Sequence, residues 1–389
     1  MPLAAIIHTL PAVASNGSAA EPLRDVIERG LISTTEPTIP GSRPEDNEWA
    51  YTKTVTPLVH YDAEGLVLFD QIAIKAADYY YPFNDELNIF KHHGPEIAKA
   101  VGIDGGDAER GWDVVELGAG ALRKTAHLLT ALADTLPRHK TDSNPAPISY
   151  YALDLSKDEL DRVLVQLDDA YGPSFAGRVD RFGLHADYDS GLHFVREGGL
   201  AKLSAERSGA PTPAPARPLH FVFIGSSLGN FDREGGASFL SSLPLRKGDT
   251  LLIGIDGRPP AGPEGRKKVE TAYNDPNGAG RAFEEHGWVV VRRELGLEPD
   301  EGIEWVNRYN EPLGRHECYY RVKKTNTVHL PNRNVDVELK EGELLHVEWS
   351  HKWSYEEAIE LFAKANLQVI NSWKAPTSEY RVWVVERKE

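Results

Sequence analysis

The strongest constraint on the fold is a regular alternation of short apolar runs and helical segments between residues 113 and 256. The apolar runs are DVVELGAG, ISYYALDLS, RFGLHADY, PLHFVFIGSSLGNF and DTLLIGIDG, with helical segments such as RKTAHLLTALADTL and KDELDRVLVQLDDAY between them. Uninterrupted apolar runs are typical of parallel strands buried on both faces, and the intervening helices supply the crossovers. We therefore predict an α/β fold with a parallel-rich sheet covered by helices.

A different pattern follows Asp256, where a Pro- and Gly-rich stretch leads to a helix predicted around TAYNDPNGAGRAFEEHG. The next segments, ECYYRVKKTNTVHL and VDVELKEGELLHVEWSHKW, alternate apolar and polar residues, as antiparallel strands with one solvated face do. The terminal segment LQVINSWKAPTSEYRVWVVER is predicted to be a hairpin that returns to the first sheet as edge strands. Upstream, residues 61–101 are predicted to form helical segments separated by an aromatic turn at Tyr79–Pro82.

These patterns predict two domains and an arm. Residues 1–50, which mix Gly, Pro, Ser and acidic side chains, are predicted to be a flexible N-terminal arm. A discontinuous α+β domain is expected from residues 51–100 and 264–352, and the α/β domain from residues 101–263 and 353–389. Two Pro-rich surface connections, TDSNPAP and SGAPTPAPARP, are expected to interrupt the α/β domain.

Composition excludes several classes of function. The net charge of −16, without any run of Lys and Arg, opposes binding to nucleic acid or to anionic membranes. Cys318 is the only cysteine, so an intrachain disulfide and a thiolate metal cluster are excluded. The histidines form no H-E-x-x-H motif, and His92-His93 is interpreted as a solvated pair, so we expect no metal. The N-terminus lacks the basic residues of a secretory signal, and we expect a cytoplasmic protein.

Three apolar runs end in residues suited to a nucleoside. Gly118 and Gly120 follow the first run, but Arg123 replaces the third glycine of a dinucleotide motif, which disfavours a pyrophosphate ligand. Asp154 ends the second run, where a carboxylate can accept both hydroxyls of a ribose, and Asp187 with Tyr188 ends the third, near an adenine. The alternatives are a tight turn without a ligand and, for Asp154, a helix N-cap, although Ser156 suits that role better. Convergence of three strand ends favours a nucleoside site.

Together, ELGAGALRKT, YYALDLS, FIGSSLGNF, AYND and VEWSHKW resemble the histidine-specific methyltransferase family of ergothioneine biosynthesis, and its fungal branch in particular. That branch includes enzymes that methylate tryptophan or dimethylallyltryptophan on the way to indole alkaloids. The resemblance extends from about Tyr61 to the C-terminus. It implies a Rossmann-like methyltransferase domain that binds S-adenosylmethionine, a substrate-binding α+β domain, and N-methylation of the α-amine of a free amino acid.

The resemblance also implies roles for single residues. Gly118 and Lys124 resemble the cofactor loop of the family, Asp154 its ribose carboxylate, and Asp187 with Tyr188 its adenine contacts. Asn230 resembles the asparagine that holds the amino-acid head group, and Tyr273 the tyrosine that binds the carboxylate; both would position the substrate, and no catalytic base is assigned. Tyr61 and Tyr80 resemble tyrosines that line the side-chain pocket, while Glu348 and Ser350 resemble the pair that binds ring nitrogens.

Alternatives stay open at several of these positions. Asn230 alone fits a turn residue, the tyrosines 79–81 fit a core cluster, and Glu348 fits a solvated strand face. The rival classes are an NAD-type oxidoreductase, a non-catalytic binding protein that retains the fold, and a peptide methyltransferase, which would need an open groove. Glu348 and Ser350 favour L-histidine as the substrate. A second observation favours an indole amino acid instead: the chain ends after its methyltransferase unit, whereas the fungal ergothioneine enzyme is fused to a further catalytic domain.

Overall fold

The computed structural model describes residues 6–12, 21–32, 34, 36–103, 110–137, 146–209, 216–298 and 302–388. Most of both predicted Pro-rich connections, and residues 1–5 and 13–20 of the predicted arm, lie outside the described residues. The strands are β1 (Ile6–Thr9), β2 (Lys53–Thr54), β3 (Trp112–Leu117), β4 (Ile148–Asp154), β5 (Val179–His185), β6 (Leu219–Phe223), β7 (Thr250–Ile255), β8 (Ile303–Asn310), β9 (Arg315–Val322), β10 (Asn326–Leu330), β11 (Val335–Leu339), β12 (Leu344–His351), β13 (Leu367–Lys374) and β14 (Arg381–Arg387).

The helices are α1 (Leu23–Leu31), α2 (Ala63–Lys75), α3 (Tyr81–Ala100), α4 (Arg123–Asp134), α5 (Lys157–Phe175), α6 (Tyr188–Arg196), α7 (Gly199–Ser208), α8 (Arg233–Ser242), α9 (Pro263–Tyr273), α10 (Ala279–Leu295) and α11 (Tyr355–Lys364). The chain forms two compact units. The sheet unit contains the described residues of Met1–Ala20, Pro82–Gly257 and Trp353–Glu389, and the second unit contains those of Glu21–Tyr81 and Arg258–Lys352.

The sheet unit contains an eight-stranded sheet in the order β1-β5-β4-β3-β6-β7-β14-β13. The six strands from β1 to β7 in this order are parallel, and β14 and β13 are antiparallel. The predicted parallel-rich sheet and the return of the terminal hairpin to its edge are both confirmed. The chain order reverses direction at β3, which lies between β4 and β6, and ligands of such sheets bind where carboxyl strand ends meet at this switch point.

Both faces of this sheet are buried, which explains the uninterrupted apolar runs. Val114 and Tyr150 belong to a core that also includes residues of α3, α4 and α5. Their neighbours Val115 and Tyr151 belong to a second core with residues of α6, α7, α8 and α11. Because successive side chains of a strand point to opposite faces, this division confirms that helices cover both sides of the sheet.

The second unit contains a four-stranded sheet in the order β2-β12-β9-β8 and the separate hairpin β10-β11. Strands β9 and β12 are antiparallel, as predicted, and β8, which was not predicted, is antiparallel to β9. Strand β2 runs parallel to β12. One face of the sheet, including Cys318 and Tyr320, packs in a core with Ile27 of α1 and Val291 of α10. The expectation of one solvated face is wrong for β9, because Trp49 and residues around it cover Tyr319 on the other side.

The predicted flexible arm needs correction. Strand β1 pairs with β5 in the large sheet, and Ile27 and Leu31 of α1 are fully buried in the second unit. Ile27 and Leu31 lie one helical turn apart, so they give this short segment an apolar face that its Gly- and Pro-rich surroundings obscure. Helix α3, apart from Tyr81, also belongs to the sheet unit and not to the substrate-binding domain where we expected it, because Ile89 and Phe90 pack in a core of the large sheet.

The helix predicted around TAYNDPNGAGRAFEEHG is two helices, α9 and α10. Gly278 has a φ of +73° between them, and the Asp275 carboxylate accepts a hydrogen bond of 2.7 Å from the backbone N–H of Gly280. The Asn-Asp-Pro-Asn-Gly sequence therefore ends one helix and begins another. Among the residues described here, no helix is long and apolar enough to cross a membrane.

Candidate functional site

The first set of predicted site residues lies at the carboxyl end of β3 in the sheet unit. Gly118 and Gly120 have φ angles of +68° and +51°, a backbone conformation that side chains disfavour. A β-carbon on Gly118 would lie 2.6 Å from the hydroxyl oxygen of Tyr188. Gly118 is therefore required both by its conformation and by the close approach of Tyr188, whereas a β-carbon on Gly120 would meet no atom within 4 Å, so the turn is open at Gly120.

Asp154 ends β4 next to this turn. Its Oδ2 accepts a hydrogen bond of 3.1 Å from the N–H of Gly120, and its Oδ1 accepts one of 3.3 Å from the N–H of Ser156. Ser156 itself caps α5 by accepting from the N–H of Glu159, so the cap assignment made from the sequence is confirmed. Burial raises the pKa of Asp154 above its usual value. The carboxylate is thus held in a fixed orientation, with acceptor capacity remaining on both oxygens.

Asp187 and Tyr188 follow β5. Asp187 caps α6 by accepting a hydrogen bond of 2.7 Å from the N–H of Ser190. The Tyr188 ring packs edge-on against Phe223, with ring centroids 5.9 Å apart, and beside Phe239 at 5.5 Å. Burial, followed by the charges of Asp154 and Glu116, raises the pKa of Tyr188. Gly118, Asp154 and Tyr188 are therefore neighbours, as the convergence of strand ends predicts.

Lys124, predicted to belong to the cofactor loop, contacts a buried carboxylate. Its Nζ is paired with Glu86 of α3, which is fully buried. Glu86 also accepts hydrogen bonds of 2.9 Å from the N–H of Gly225 and 2.7 Å from the hydroxyl of Tyr380. This carboxylate ties together the beginning of α4, the turn after β6 and the segment before β14, so Lys124 helps to fix the loops around the switch point.

The turn after β6 contains Asn230. It ends a single 3-10 turn, Ser227–Asn230, and its side chain is exposed. Ser226 has a φ of +60° and accepts a hydrogen bond of 3.1 Å from the N–H of Asp256 at the end of β7. Two neighbouring strand ends therefore hold this turn, which presents the Asn230 amide at the carboxyl edge of the sheet.

The remaining predicted site residues all lie in the second unit, where three of them are in direct contact. The hydroxyl of Tyr273 donates a hydrogen bond of 2.8 Å to Ser350 Oγ. The rings of Tyr80 and Tyr273 meet edge-on, with centroids 5.9 Å apart. Tyr61 belongs to the same apolar cluster as Tyr80, and its ring lies edge-on to Phe283 at 6.2 Å. The structure therefore gathers the predicted aromatic residues and Ser350 from widely separated segments.

Glu348 lies two residues before Ser350 on β12 and pairs in register with Cys318 of β9. Burial raises the pKa of Glu348 to about 7, and the charge of Lys352 opposes this rise. A second carboxyl group, Glu284 of α10, accepts a hydrogen bond of 3.1 Å from Cys318. Its pKa is raised by burial and by the charge of Glu348. The Glu348 side chain is half-buried, so it does not belong to a fully solvated strand face.

The raised pKa of Glu348 has a consequence for stability. An unfolded glutamate loses its proton near pH 4.5, whereas folded Glu348 keeps it to about pH 7. The folded state binds more protons between these values, so stability falls as pH rises through this window and the loss is complete above it. We expect Glu348→Gln to raise Tm by about 3 °C at pH 8 and by less at pH 4. Thermal melts check this, with exposed Glu341→Gln as control; an equal shift at both pH values would contradict it.

Several residues of these sites were not predicted. Lys352 contacts both Tyr273 and Ser350, and the alternation Glu348, Ser350, Lys352 along the chain was a signal for it. Glu116 precedes the glycine turn and is buried, where it accepts hydrogen bonds of 2.6 Å from Tyr150 and 2.8 Å from Thr125. Burial raises its pKa to about 7. Glu86 had no signal, since a single acid on a helix usually faces solvent.

The residues of the sheet unit fit a nucleoside cofactor. An open glycine turn, a fixed carboxylate at the next strand end and an aromatic residue at the third lie together at the switch point. Among the described residues, no group of three His, Cys, Asp or Glu side chains is arranged to hold a metal ion.

Several known proteins are similar to this chain over most of its length. Residues 38–387 match the family model described as histidine-specific methyltransferase, SAM-dependent. The chain is 30% identical to L-tryptophan methyltransferase trpM of Psilocybe serbica over 92% of this chain and 91% of that protein. It is 28% identical to a histidine N-alpha-methyltransferase of Mycolicibacterium smegmatis, over 93% and 94% of the two chains. It is 30% identical to ergothioneine biosynthesis protein 1 of Neurospora crassa, over 85% of this chain but 32% of that protein. The chain belongs to the family of histidine-specific, S-adenosylmethionine-dependent methyltransferases.

Proposed function

We propose that this methyltransferase acts on the α-amine of free L-histidine. The observation that carries the proposal is the placement of Glu348 and Ser350 two residues apart on β12, with Ser350 in contact with Tyr273 and Lys352. An imidazole ring has one N–H donor and one nitrogen acceptor. Glu348 offers an acceptor for the N–H, and the Ser350 hydroxyl offers a donor for the other nitrogen. The pair is therefore complementary to imidazole at both ring nitrogens.

The aromatic residues of the second unit support a flat ring as substrate. Tyr61 and Tyr80 cluster with Phe283 and Ile72, which gives an apolar wall a few side chains wide. Such a wall orients a planar ring and excludes water from it, and polar groups placed at its edge then determine which ring is accepted. A small apolar cluster of this kind favours a free amino acid over a peptide.

Orientation is the main task of this chain in the reaction. Bound S-adenosylmethionine supplies a methyl group on a positively charged sulfur. Asp154, Gly118, Asp187 and Tyr188 are proposed to bind the nucleoside, with Asp154 on the ribose and the loop near Lys124 beside it. Asn230 is proposed to hold the amino-acid head group, and Tyr273 to lie beside the carboxylate while its hydroxyl donates to Ser350. Because binding fixes the orientation of the amine beforehand, the reaction step itself no longer includes the entropic cost of losing rotational freedom.

A second candidate substrate is L-tryptophan or a prenylated tryptophan. The 30% identity to the tryptophan methyltransferase of Psilocybe serbica supports it, although the histidine enzyme of Mycolicibacterium smegmatis is 28% identical over similar shares of both chains. Indole has an N–H that Glu348 can accept, but its ring carries no acceptor for the Ser350 hydroxyl. Competition of histidine, tryptophan and dimethylallyltryptophan in one assay, with products read by mass spectrometry, tests the choice. Predominant methylation of an indole amino acid would overturn the histidine proposal.

The head-group role of Asn230 gives a separate prediction. Asn230→Ala is expected to lower kcat/KM about 10-fold for histidine and for tryptophan alike, because both share the same α-amine and carboxylate. Initial rates at subsaturating substrate check this, with exposed Asp232→Asn as control for the neighbouring turn. A change in the preference between the two amino acids, with overall turnover retained, would place Asn230 at the ring instead.

A further inference from the structure

Lys352 is a fully buried lysine at the centre of the polar group in the second unit. Its Nζ donates a hydrogen bond of 2.6 Å to the hydroxyl oxygen of Tyr273 and one of 3.0 Å to Ser350 Oγ. A buried ammonium group is costly unless charge and hydrogen bonds compensate it. Here the Tyr273 ring lies 4.6 Å from Nζ, and the charge of Lys352 acts on Glu348. Lys352 is therefore a buried component of the candidate site and not a solvent-exposed charge.

The hydrogen bonds around Ser350 determine whether its hydroxyl group can donate or accept a further hydrogen bond. A serine oxygen has two acceptor positions and one hydrogen. Lys352 occupies one acceptor position, and the Tyr273 hydroxyl, which donates over 2.8 Å, occupies the other. Among the residues that the structure describes, no acceptor takes the Ser350 hydrogen. Ser350 is therefore set to donate.

His316, another neighbour of Tyr273, does not compete for these bonds. The His316 ring stacks on Tyr273, with centroids 4.0 Å apart and an angle of 14° between the planes. Its Nε2 lies 3.1 Å from Asn307 Oδ1. Burial and then the charge of Lys352 hold the pKa of His316 well below its usual value, so the ring is neutral. His316 thus fixes the plane of Tyr273 and adds no positive charge beside Lys352.

We propose that Lys352 is the positioning residue that determines ring specificity: by donating to both Tyr273 and Ser350, it leaves the Ser350 hydroxyl hydrogen for a ring-nitrogen acceptor of the substrate. This inference rests on the proposed function, because histidine has such an acceptor and tryptophan lacks it. Without Lys352, the Ser350 oxygen regains an acceptor position, and the hydroxyl can turn to satisfy an indole N–H. Lys352 then sets the preference between two substrates without contacting either ring.

The test compares Lys352→Met with the wild-type enzyme, using L-histidine and L-tryptophan at subsaturating concentrations. We expect the ratio of kcat/KM for histidine to kcat/KM for tryptophan to fall about 10-fold, which corresponds to the net value of one hydrogen bond. Lys352→Gln retains N–H donors without the charge, and it is expected to restore part of the ratio. The double variant Lys352→Met/Ser350→Ala is expected to have the same ratio as Ser350→Ala alone, because Lys352 acts through Ser350.

Lys53→Met is the matched control, since Lys53 is also buried in the second unit and pairs with Glu343 away from Ser350. It is expected to lower Tm and leave the substrate ratio unchanged. Lys352→Leu replaces Lys352→Met if the latter does not fold. If the wild-type enzyme prefers histidine and the Lys352 variants lose kcat/KM equally for both amino acids, the role of Lys352 is overturned and the proposed substrate is not. A wild-type preference for tryptophan would overturn the proposed substrate and this inference together.

Discussion

Asp154→Ala is expected to weaken the binding of S-adenosylhomocysteine about 10- to 100-fold, equivalent to roughly 1–3 kcal/mol for lost hydrogen bonds to a charged group. The Asp154 carboxylate is held by the N–H groups of Gly120 and Ser156 at the end of β4. It therefore needs no reorientation when the two ribose hydroxyls donate to it. Removal of the side chain loses these acceptors and also releases Gly120, so the glycine turn itself becomes less ordered.

Calorimetric titration measures this effect directly. Asp158→Ala is the matched control, because Asp158 is an exposed acid in the first turn of α5, near the same strand end. It is expected to leave the affinity within about twofold of wild type, as is usual for an exposed charge. Asp154→Asn, which keeps one oxygen acceptor, is expected to lie between the two. Unchanged affinity in Asp154→Ala, with the fold intact, would exclude Asp154 as the ribose ligand.

The large sheet could be predicted because its information is local. Strands buried on both faces need unbroken apolar runs, and the sequence between residues 113 and 256 contains one such run for each of β3 to β7. The placement of α1 and α3 could not be predicted in the same way. The spacing of their apolar residues predicts that each helix packs against a hydrophobic core, but amphipathicity does not identify which of the two units supplies that core.

The site was predictable where a strand end fixed a residue's position, and less so where helices contribute. Asp154 and Tyr188 follow strands of the same sheet, so their proximity followed from the topology. Glu284 and Glu285 are adjacent in α10, yet the first is buried beside Cys318 and the second is exposed. Nothing in their local sequence distinguishes them. Lys352 continues the alternation of Glu348 and Ser350, but a lysine near a strand end is usually solvated, and only tertiary contacts reverse that expectation.

Glu348 gives the prediction with the largest expected effect on substrate choice. Its carboxyl group lies on β12 opposite Cys318, near the carboxyl of Glu284, and its pKa is raised by burial. A buried acceptor that finds no donor is costly, so a substrate that supplies an N–H is favoured over one that presents only hydrocarbon. Indole also supplies one N–H. Glu348 alone therefore discriminates against indole substrates less strongly than Glu348 and Ser350 do together.

Glu348→Ala is expected to lower kcat/KM for histidine on the order of 100-fold and to spare or increase that for tryptophan. The change removes the partner of the imidazole N–H and opens apolar space in which a larger ring fits. Glu348→Gln separates these two causes, because it keeps an oxygen acceptor and the volume of the side chain. It is expected to retain more histidine turnover than alanine does, without any gain for tryptophan. Turnover of both amino acids by the three enzymes, at subsaturating concentrations and with saturating S-adenosylmethionine, measures this. A proportional loss for both would mean that Glu348 supports the fold or the head group, and the cofactor residues of the sheet unit would keep their proposed roles in either case.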